Sequence, residues 1–213
     1  MKYKLILFDL DGTLLNTIPD LSNSLNYALK NNGQKEKTQE EVKSLIGNGI
    51  RNLCESATSD DSKKEKVFSD FKKYYETHLC DESRVYPNIF RLLQELKKKY
   101  MLGILSNKKN SYVNVIADYY FKDIFDITLG ELDNLKRKPD KEMLEYILDK
   151  YNLKREDVLY VGDSDIDILF SLNSNIDYVI VNYGYRSEED LKKLNPKIMI
   201  SDPLLILNIL ENM

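Results

Sequence analysis

The chain has 213 residues, which suits one compact body with room for an inserted subdomain. Its 35 acidic and 31 basic residues give a formal net charge of -4, so no strong global attraction to nucleic acid or to an anionic membrane surface is expected. The first apolar run stops at Asp9, far short of a signal-peptide core of roughly 7–15 residues or a membrane span of about 20. We therefore expect a cytoplasmic protein with neither nucleic-acid nor membrane partners.

Short runs rich in Leu, Ile and Val recur along the chain and stop abruptly at small or acidic residues. Because these runs are continuously apolar rather than alternating, they predict strands buried on both faces of a parallel sheet. Helical spacing follows Pro87 and Pro139, and the alternation of strand and helix predicts a doubly wound α/β core domain over residues 1–15 and 85–213. The predicted strands are Leu5–Phe8, Gly103–Leu105, Val158–Val161, Tyr178–Val181 and Ile198–Ile200.

Residues 16–84 interrupt this alternation and predict a small all-helical domain. A first apolar stripe ends near Gly33, and Thr38 with Glu41 forms a capping-box pattern before a second one. A third stripe is rich in aromatic residues and predicts a helix that forms the core of the insertion rather than a cofactor site. That stripe consists of Val67, Phe68, Phe71, Tyr74 and Tyr75.

Polar side chains follow three of the predicted strands. They are Asp9 with Asp11, Ser106, and Asp163 with Asp167. Ligands bind outside the carboxyl ends of the strands in an open α/β sheet, so these groups are expected to converge. A carboxylate that attacks an anionic phosphate meets charge repulsion, which Mg²⁺ held by Asp9 and Asp163 would relieve. The Ser106 hydroxyl and the Lys138 ammonium suit stabilisation of the phosphoryl oxygens. Each residue alone is typical of a helix cap or a loop, so the prediction depends on their joint order.

Four motifs in this order resemble those of the haloacid dehalogenase superfamily. The segment Asp9-Leu10-Asp11-Gly12-Thr13-Leu14 resembles its first motif and Ser106-Asn107-Lys108 its second, while Lys138-Pro139 resembles the third and Gly162-Asp163-Ser164-Asp165-Ile166-Asp167 the fourth. Residues 16–84 stand where this superfamily carries its type 1 helical cap. The resemblance implies a Rossmann-type core with a helical cap and a Mg²⁺-dependent phosphatase that works through an aspartyl-phosphate.

The resemblance also implies a role for each matched residue. Asp9 is expected to be the nucleophile and a metal ligand, and Asp11 the general acid and base and a metal ligand through its carbonyl. The expected phosphate-binding groups are Ser106, Asn107 and Lys138. Asp163 is expected to be a metal ligand and Asp167 to support the metal shell. Asp165 falls between the family positions, and we interpret it as a charge favoured at a helix N-terminus.

The segments 11–21 and 46–49 resemble the phosphoglycolate phosphatases of this superfamily. Asn16 and Thr17 depart from the usual acidic residue and serine, and Ser174-Asn175 stands where Ala-Gly is common. The expected substrate is a small-molecule phosphate monoester, 2-phosphoglycolate or a similar anion, and both monomer and homodimer remain open. The cap residues expected to select it are Gly47, Asn48, Gly49 and Arg51, with Lys108 and Lys109 as alternative cations in the core.

Several alternatives share the fold. A hydrolytic dehalogenase lacks the second aspartate of the first motif, so Asp11 favours a phosphate ester. A β-phosphoglucomutase-like mutase, a sugar-phosphate, nucleotide or pyrophosphate phosphatase, and a catalytically silent phosphate-sensing partner protein remain alternatives.

Overall fold

A computed structural model describes residues 2–47 and 49–212 of the chain. The chain divides into two compact units, one of Met1–Leu15 with Val85–Met213 and the other of Asn16–Arg84. We call them the core unit and the helical unit. The strands are β1 Leu5–Phe8, β2 Leu15–Asn16, β3 Arg84–Val85, β4 Met101–Lys109, β5 Ile127–Glu131, β6 Val158–Gly162, β7 Asp177–Val181 and β8 Met199–Ile200. The helices are α1 Ile18–Asn31, α2 Gln39–Leu45, α3 Gly49–Ala57, α4 Lys64–Tyr75, α5 Ile89–Lys97, α6 Asn110–Phe121, α7 Glu142–Tyr151, α8 Asp165–Ser174, α9 Glu188–Lys193 and α10 Leu205–Asn212.

The core unit is built on a six-stranded sheet in the order β5-β4-β1-β6-β7-β8, in which every pairing is parallel. Strand β1 lies between β4 and β6, and Leu5 is in register with both Met101 and Val158. All four residues of β1 are buried, as a strand covered on both faces requires. The predicted α/β fold with a parallel sheet is confirmed.

Strand β4 differs from its prediction because it continues through Ser106 to Lys109 instead of ending at Leu105. Its register with β5 shifts on the way: Leu105 pairs with Leu129, whereas Lys109 pairs with Glu131. Four residues of β4 therefore advance against two of β5, and the regular ladder is interrupted. This irregularity falls on the predicted second motif, at the carboxyl end of β4.

The helical unit contains helices α1 to α4. Thr38 and Glu41 form the predicted capping box, with the Glu41 amide donating to the Thr38 hydroxyl at 3.2 Å and the Thr38 amide to the Glu41 carboxylate at 2.8 Å. Helix α1 ends at Asn31, just before Gly33, which has a φ of 64°. Among the aromatic residues of α4, Phe71 and Tyr75 are buried.

Helix α3 begins at Gly49, within the segment 47–49 that is expected to select the substrate. Gly47 has a φ of 127° and Gly49 a φ of 76°, backbone angles that glycine adopts at little cost. Asn48 lies outside the described residues. Across the ranges 2–47 and 49–212, we find no helix with the length and apolar character needed to cross a membrane.

Candidate active site

Three predicted aspartates meet at the carboxyl end of the core sheet. Asp9 follows β1, and its amide extends the β ladder by donating to the Val161 carbonyl at 2.9 Å. Asp163 follows β6, and Asp167 lies in the first turn of α8. Each offers a carboxylate oxygen within 4.8 Å of the others, and all three are buried. The structure thus brings together side chains that lie up to 158 positions apart in the sequence.

Asp167 is fixed by the start of helix α8. One carboxylate oxygen accepts hydrogen bonds from the amide and hydroxyl of Ser164, at 3.0 and 2.6 Å, in a capping box. The other oxygen accepts from Lys138 Nζ at 2.7 Å and from the Tyr160 hydroxyl at 2.8 Å. The helix cap and the ammonium contact therefore share one carboxylate, which keeps Asp167 rigid.

Lys138 joins the third predicted motif to this cluster. Its Nζ donates to Asp9 Oδ1 at 2.9 Å, to Asp167 at 2.7 Å and to the Tyr160 hydroxyl at 2.6 Å. An ammonium group has three N–H donors, so these partners account for all of them. Tyr160 is fully buried, and its hydroxyl therefore accepts from Lys138 while donating to Asp167.

Asp163 is oriented by two donors of the core unit. The Thr13 hydroxyl donates to Oδ1 at 3.0 Å, and the Tyr185 amide donates to Oδ2 at 2.8 Å. A Cβ atom at Gly12 would lie 2.3 Å from Oδ2, and one at Gly184 would lie 2.4 Å from it. Gly12 also has a φ of 92°, so glycine provides both the turn and the room for this carboxylate.

Asp11 lies beside the second motif. Lys108 Nζ donates to both carboxylate oxygens of Asp11, at 2.9 and 2.8 Å. The Ser106 hydroxyl accepts from the Lys108 amide at 3.3 Å, and the Asn107 side chain donates to the Lys138 carbonyl at 2.9 Å. The second motif therefore contacts the first and the third, although its role toward phosphate stays a prediction.

The site carries excess negative charge. Four carboxylates face the ammonium groups of Lys108 and Lys138, which leaves two charges without compensation when all six groups are ionised. Burial raises the pKa of Asp9 to about 7, against the lowering effect of Lys138. Burial, together with the neighbouring carboxylates of Asp167 and Asp9, raises the pKa of Asp163 well above its usual value.

A divalent cation fits these properties. Asp9 and Asp163 offer hard carboxylate oxygens close together, and a dication would supply the charge that the two lysines leave missing. Asp167 is a less suitable ligand, because five protein donors already occupy its oxygens and the positive charge of Lys138 lowers its pKa despite burial. It is better placed to hold Lys138.

The remaining predicted residues have contacts of their own. Arg51 lies in the helical unit, where it pairs with Glu65 at 2.8 Å and with Glu55 at 3.4 Å. Asp165 is the first residue of α8, as interpreted from the sequence, and it also accepts a hydrogen bond from Arg186 Nε at 2.8 Å.

Sequence reasoning gave no role to four residues that contact the acidic cluster: Thr13, Tyr160, Ser164 and Tyr185. Tyr160 stands within an apolar run and was assigned to the strand core. A buried tyrosine hydroxyl needs a polar partner, so a tyrosine within an apolar strand was a sign that polar groups lie nearby. Tyr185 acts through its main chain, which no side-chain pattern reveals.

Comparison with known proteins agrees with this geometry. A sequence profile described as haloacid dehalogenase-like hydrolase matches residues 6–181. The chain belongs to the haloacid dehalogenase-like hydrolases. The predicted family membership is confirmed, and the matched range contains all four motifs of this hydrolase family.

Individual relatives match nearly the whole length of the chain. A phosphoglycolate phosphatase of Haemophilus influenzae is 35% identical over 98% of this chain and 99% of the relative, and one of Pasteurella multocida is 33% identical over 99% of both. The crystal structure of a predicted phosphoglycolate phosphatase from Haemophilus somnus superimposes with a TM-score of 0.90 at 31% identity, covering 98% of each chain. The prediction of a phosphatase within this hydrolase family is confirmed.

Proposed function

We propose that this protein is a Mg²⁺-dependent phosphatase that hydrolyses a small anionic phosphate monoester, 2-phosphoglycolate in the first place, by phosphorylation of Asp9. The observation that carries the proposal is the meeting of Asp9, Asp11, Lys138 and Asp163 at one end of the sheet. Relatives named phosphoglycolate phosphatase match nearly the whole chain, which supports the substrate class. The proposed location is the cytoplasm.

In the first half-reaction a carboxylate oxygen of Asp9 attacks phosphorus and the alcohol leaves. Asp11 gives a proton to the leaving oxygen, and in the second half-reaction it takes one from the water that attacks the aspartyl-phosphate. A Mg²⁺ ion held by Asp9 and Asp163, with the Asp11 carbonyl as a further ligand, would neutralise charge between nucleophile and phosphate.

Lys138 has its three donors engaged before substrate binds, so a phosphoryl oxygen must share or replace one of its bonds. The bond to Asp9 is the one to be replaced, because formation of the aspartyl-phosphate removes the negative charge of that carboxylate. Asp167 and Tyr160 then keep Lys138 in place while its third donor turns to the phosphoryl group. Ser106 and Asn107 are proposed to complete the binding of this group.

The helical unit is proposed to act as the cap that reads the rest of the substrate. The core residues above are assigned to phosphorus, metal and proton transfer, so discrimination between phosphate monoesters requires other groups. Gly47, Asn48, Gly49 and Arg51 are the proposed cap residues. Arg51 suits a carboxylate because a guanidinium can bind it through two parallel hydrogen bonds.

The test is hydrolysis of 2-phosphoglycolate and p-nitrophenyl phosphate by the parent and by Asp9→Asn, with Mg²⁺ and with excess chelator. We expect the parent to require Mg²⁺ and Asp9→Asn to lose activity with its fold intact. Asp165→Asn is the matched control, since Asp165 belongs to the same motif as Asp163 but contacts Arg186 instead. Activity in Asp9→Asn near the parent's rate contradicts covalent catalysis, and preferred turnover of hexose phosphates, nucleotides or pyrophosphate contradicts the proposed substrate.

A further inference from the structure

The side chain of Lys108 is buried against Asp11. Its Nζ donates to the two carboxylate oxygens at 2.9 and 2.8 Å, and the side chains are 2% and 15% exposed. A buried ammonium group is costly without a charged partner, and Asp11 supplies that partner. The contact therefore joins a side chain of the first motif, Asp11, to one of the second motif, Lys108.

The backbone that carries Lys108 is part of the sheet rather than of a loop. Lys108 lies in β4, and its amide donates to the hydroxyl of Ser106 at 3.3 Å. The neighbouring Lys109 is exposed, with its Nζ 5.0 Å from the centre of the Tyr112 ring. Adjacent side chains of a strand point to opposite faces, so β4 directs one of two adjacent lysines inward, to the residue that we propose to transfer protons.

We propose that Lys108 is a positioning residue for proton transfer, acting through Asp11. This inference rests on the proposed function. A contact to both oxygens fixes the plane of the Asp11 carboxylate, which an isolated side chain would leave free to rotate. When one oxygen carries the proton, the other still accepts from Lys108, so the proton stays directed at the leaving group.

The step that Lys108 assists is defined by its bonds. A bond forms between an Asp9 oxygen and phosphorus, the bond from phosphorus to the leaving oxygen breaks with its electron pair on that oxygen, and the oxygen takes the proton of Asp11. An alkoxide leaving group needs this proton, whereas p-nitrophenolate is a stable anion that leaves without it. The decrease in kcat/KM that follows the loss of Lys108 must therefore depend on the leaving group.

The experiment compares Lys108→Met with the parent on three substrates in the presence of Mg²⁺. These are p-nitrophenyl phosphate, 2-phosphoglycolate and ethyl phosphate, an alkyl ester without a carboxylate. We expect kcat/KM for both alkyl esters to fall roughly 10–100-fold, a part of the usual worth of general acid catalysis, and that for p-nitrophenyl phosphate to change less than about threefold. Lys108→Gln keeps one donor toward Asp11 and is expected to lose less than Lys108→Met.

A matched control and a binding measurement separate this role from a structural one. Lys97→Met removes another lysine paired with an aspartate, Asp126 at 2.7 Å near the start of β4, and is expected to leave all three activities unchanged. Calorimetric binding of orthophosphate is expected to be the same in Lys108→Met and the parent.

Four outcomes overturn the inference. An equal loss on all three substrates or weakened orthophosphate binding indicates a structural or phosphate-binding role, and a loss on 2-phosphoglycolate alone indicates recognition of its carboxylate. Unchanged activity on every substrate removes Lys108 from the mechanism. A parent protein that hydrolyses none of the three overturns the proposed function itself and this inference with it.

Discussion

The Nζ atom of Lys138 donates a hydrogen bond of 2.9 Å to Oδ1 of Asp9. The Lys138 side chain is buried, and the opposing carboxylates of Asp9 and Asp167 raise its pKa although burial alone would lower it. The proposed nucleophile therefore meets a permanently charged partner before any substrate binds. An ion pair between Lys138 and Asp9 thus joins the third motif to the first.

Replacing Lys138 with Met is expected to abolish most activity and to destabilise the protein. Two buried carboxylates lose their cation, and breaking a buried ion pair from one side costs about 3–5 kcal/mol. The variant also loses the positive charge that the Lys138 ammonium directs at the phosphoryl group, and this loss is expected to lower kcat by roughly 10²–10³-fold. Urea unfolding of the metal-free protein and steady-state kinetics measure the two effects. Lys4→Met, which removes a more exposed pair with Asp157, should cost under about 1 kcal/mol, and equal losses in both variants contradict this account.

Much of the fold follows from the sequence because its central strands are continuously apolar. Strands β1, β6 and β7 are buried along nearly their whole length and were predicted within one residue at each end. Strand β5 contains Thr128, Gly130 and Glu131, which interrupt the apolar run, and it was missed. Helix α6 was missed as well, because exposed Val115 and Tyr119 blur its amphipathic pattern.

The site could be predicted as a set of residues but not as a set of contacts. Parallel strands end at the same edge of a sheet, so the meeting of Asp9 and Asp163 follows from strand order. The contact between Lys108 and Asp11 joins residues 97 positions apart, and no periodic pattern relates them. Lys108 lies in the stretch of β4 where the register with β5 shifts, and β5 is the strand that the sequence did not reveal.

The stability of the metal-free protein is expected to fall as the pH rises from about 4 to about 7. The pKa of Asp9 is raised to about 7, chiefly by burial, whereas an unfolded aspartate releases its proton near pH 4. The folded state thus holds a proton that the unfolded chain has lost, and each such proton changes the free energy of unfolding by about 1.4 kcal/mol per pH unit in this window. Urea unfolding in chelator across the window measures the slope. A stability that rises with pH through this range contradicts the buried, uncompensated carboxylate.

Magnesium is expected to stabilise the protein more at about pH 8 than at about pH 5. Binding requires ionised carboxylates, and a ligand that binds only the folded state raises its stability. At the lower pH, protons occupy Asp9 and compete with the ion. Thermal unfolding with and without Mg²⁺ at the two pH values gives the comparison. An equal shift at both values places the ion elsewhere.

Asp163→Asn is expected to abolish Mg²⁺ binding without lowering the stability of the metal-free protein. The amide oxygen can keep the bond from the Tyr185 amide, and the amide nitrogen can donate to the Thr13 hydroxyl, which rotates to accept. The variant removes one buried negative charge, so the metal-free protein should be at least as stable as the parent near neutral pH. The stabilisation by Mg²⁺ should disappear. A variant that keeps the full Mg²⁺ shift shows that Asp163 is no ligand.

Gly184→Ala tests the space that Asp163 needs. The added Cβ would lie 2.4 Å from both Cβ and Oδ2 of Asp163, so the carboxylate must move away. We expect Mg²⁺ affinity to fall at least roughly tenfold, in line with other changes to groups that orient metal ligands. Gly33→Ala is the control, because a Cβ atom added at Gly33 would have Lys63 Nζ, 3.9 Å away in the helical unit, as its nearest neighbour among the described residues. Affinity equal to the parent's in Gly184→Ala contradicts the tight fit around Asp163.

Arg51 allows the proposed reading of the substrate carboxylate to be tested in two directions. Its guanidinium donates to Glu65 at 2.8 Å and lies 4.1 Å from the centre of the Phe68 ring. Arg51→Ala is expected to raise the KM for 2-phosphoglycolate roughly tenfold, the worth of one exposed charge-assisted contact, and to leave that for p-nitrophenyl phosphate nearly unchanged.

Glu65→Gln should have the opposite effect, because a substrate carboxylate competes with Glu65 for the same guanidinium. Removal of the competing charge is expected to lower the KM for 2-phosphoglycolate while kcat stays constant. Lys72→Ala is the matched control: Lys72 Nζ lies 5.5 Å from the centre of the same Phe68 ring, and its loss should change neither KM. The paired measurement isolates the carboxylate, since p-nitrophenyl phosphate offers none. Shifts of equal size on both substrates, or a KM that moves the same way in Arg51→Ala and Glu65→Gln, contradict recognition of the substrate by Arg51.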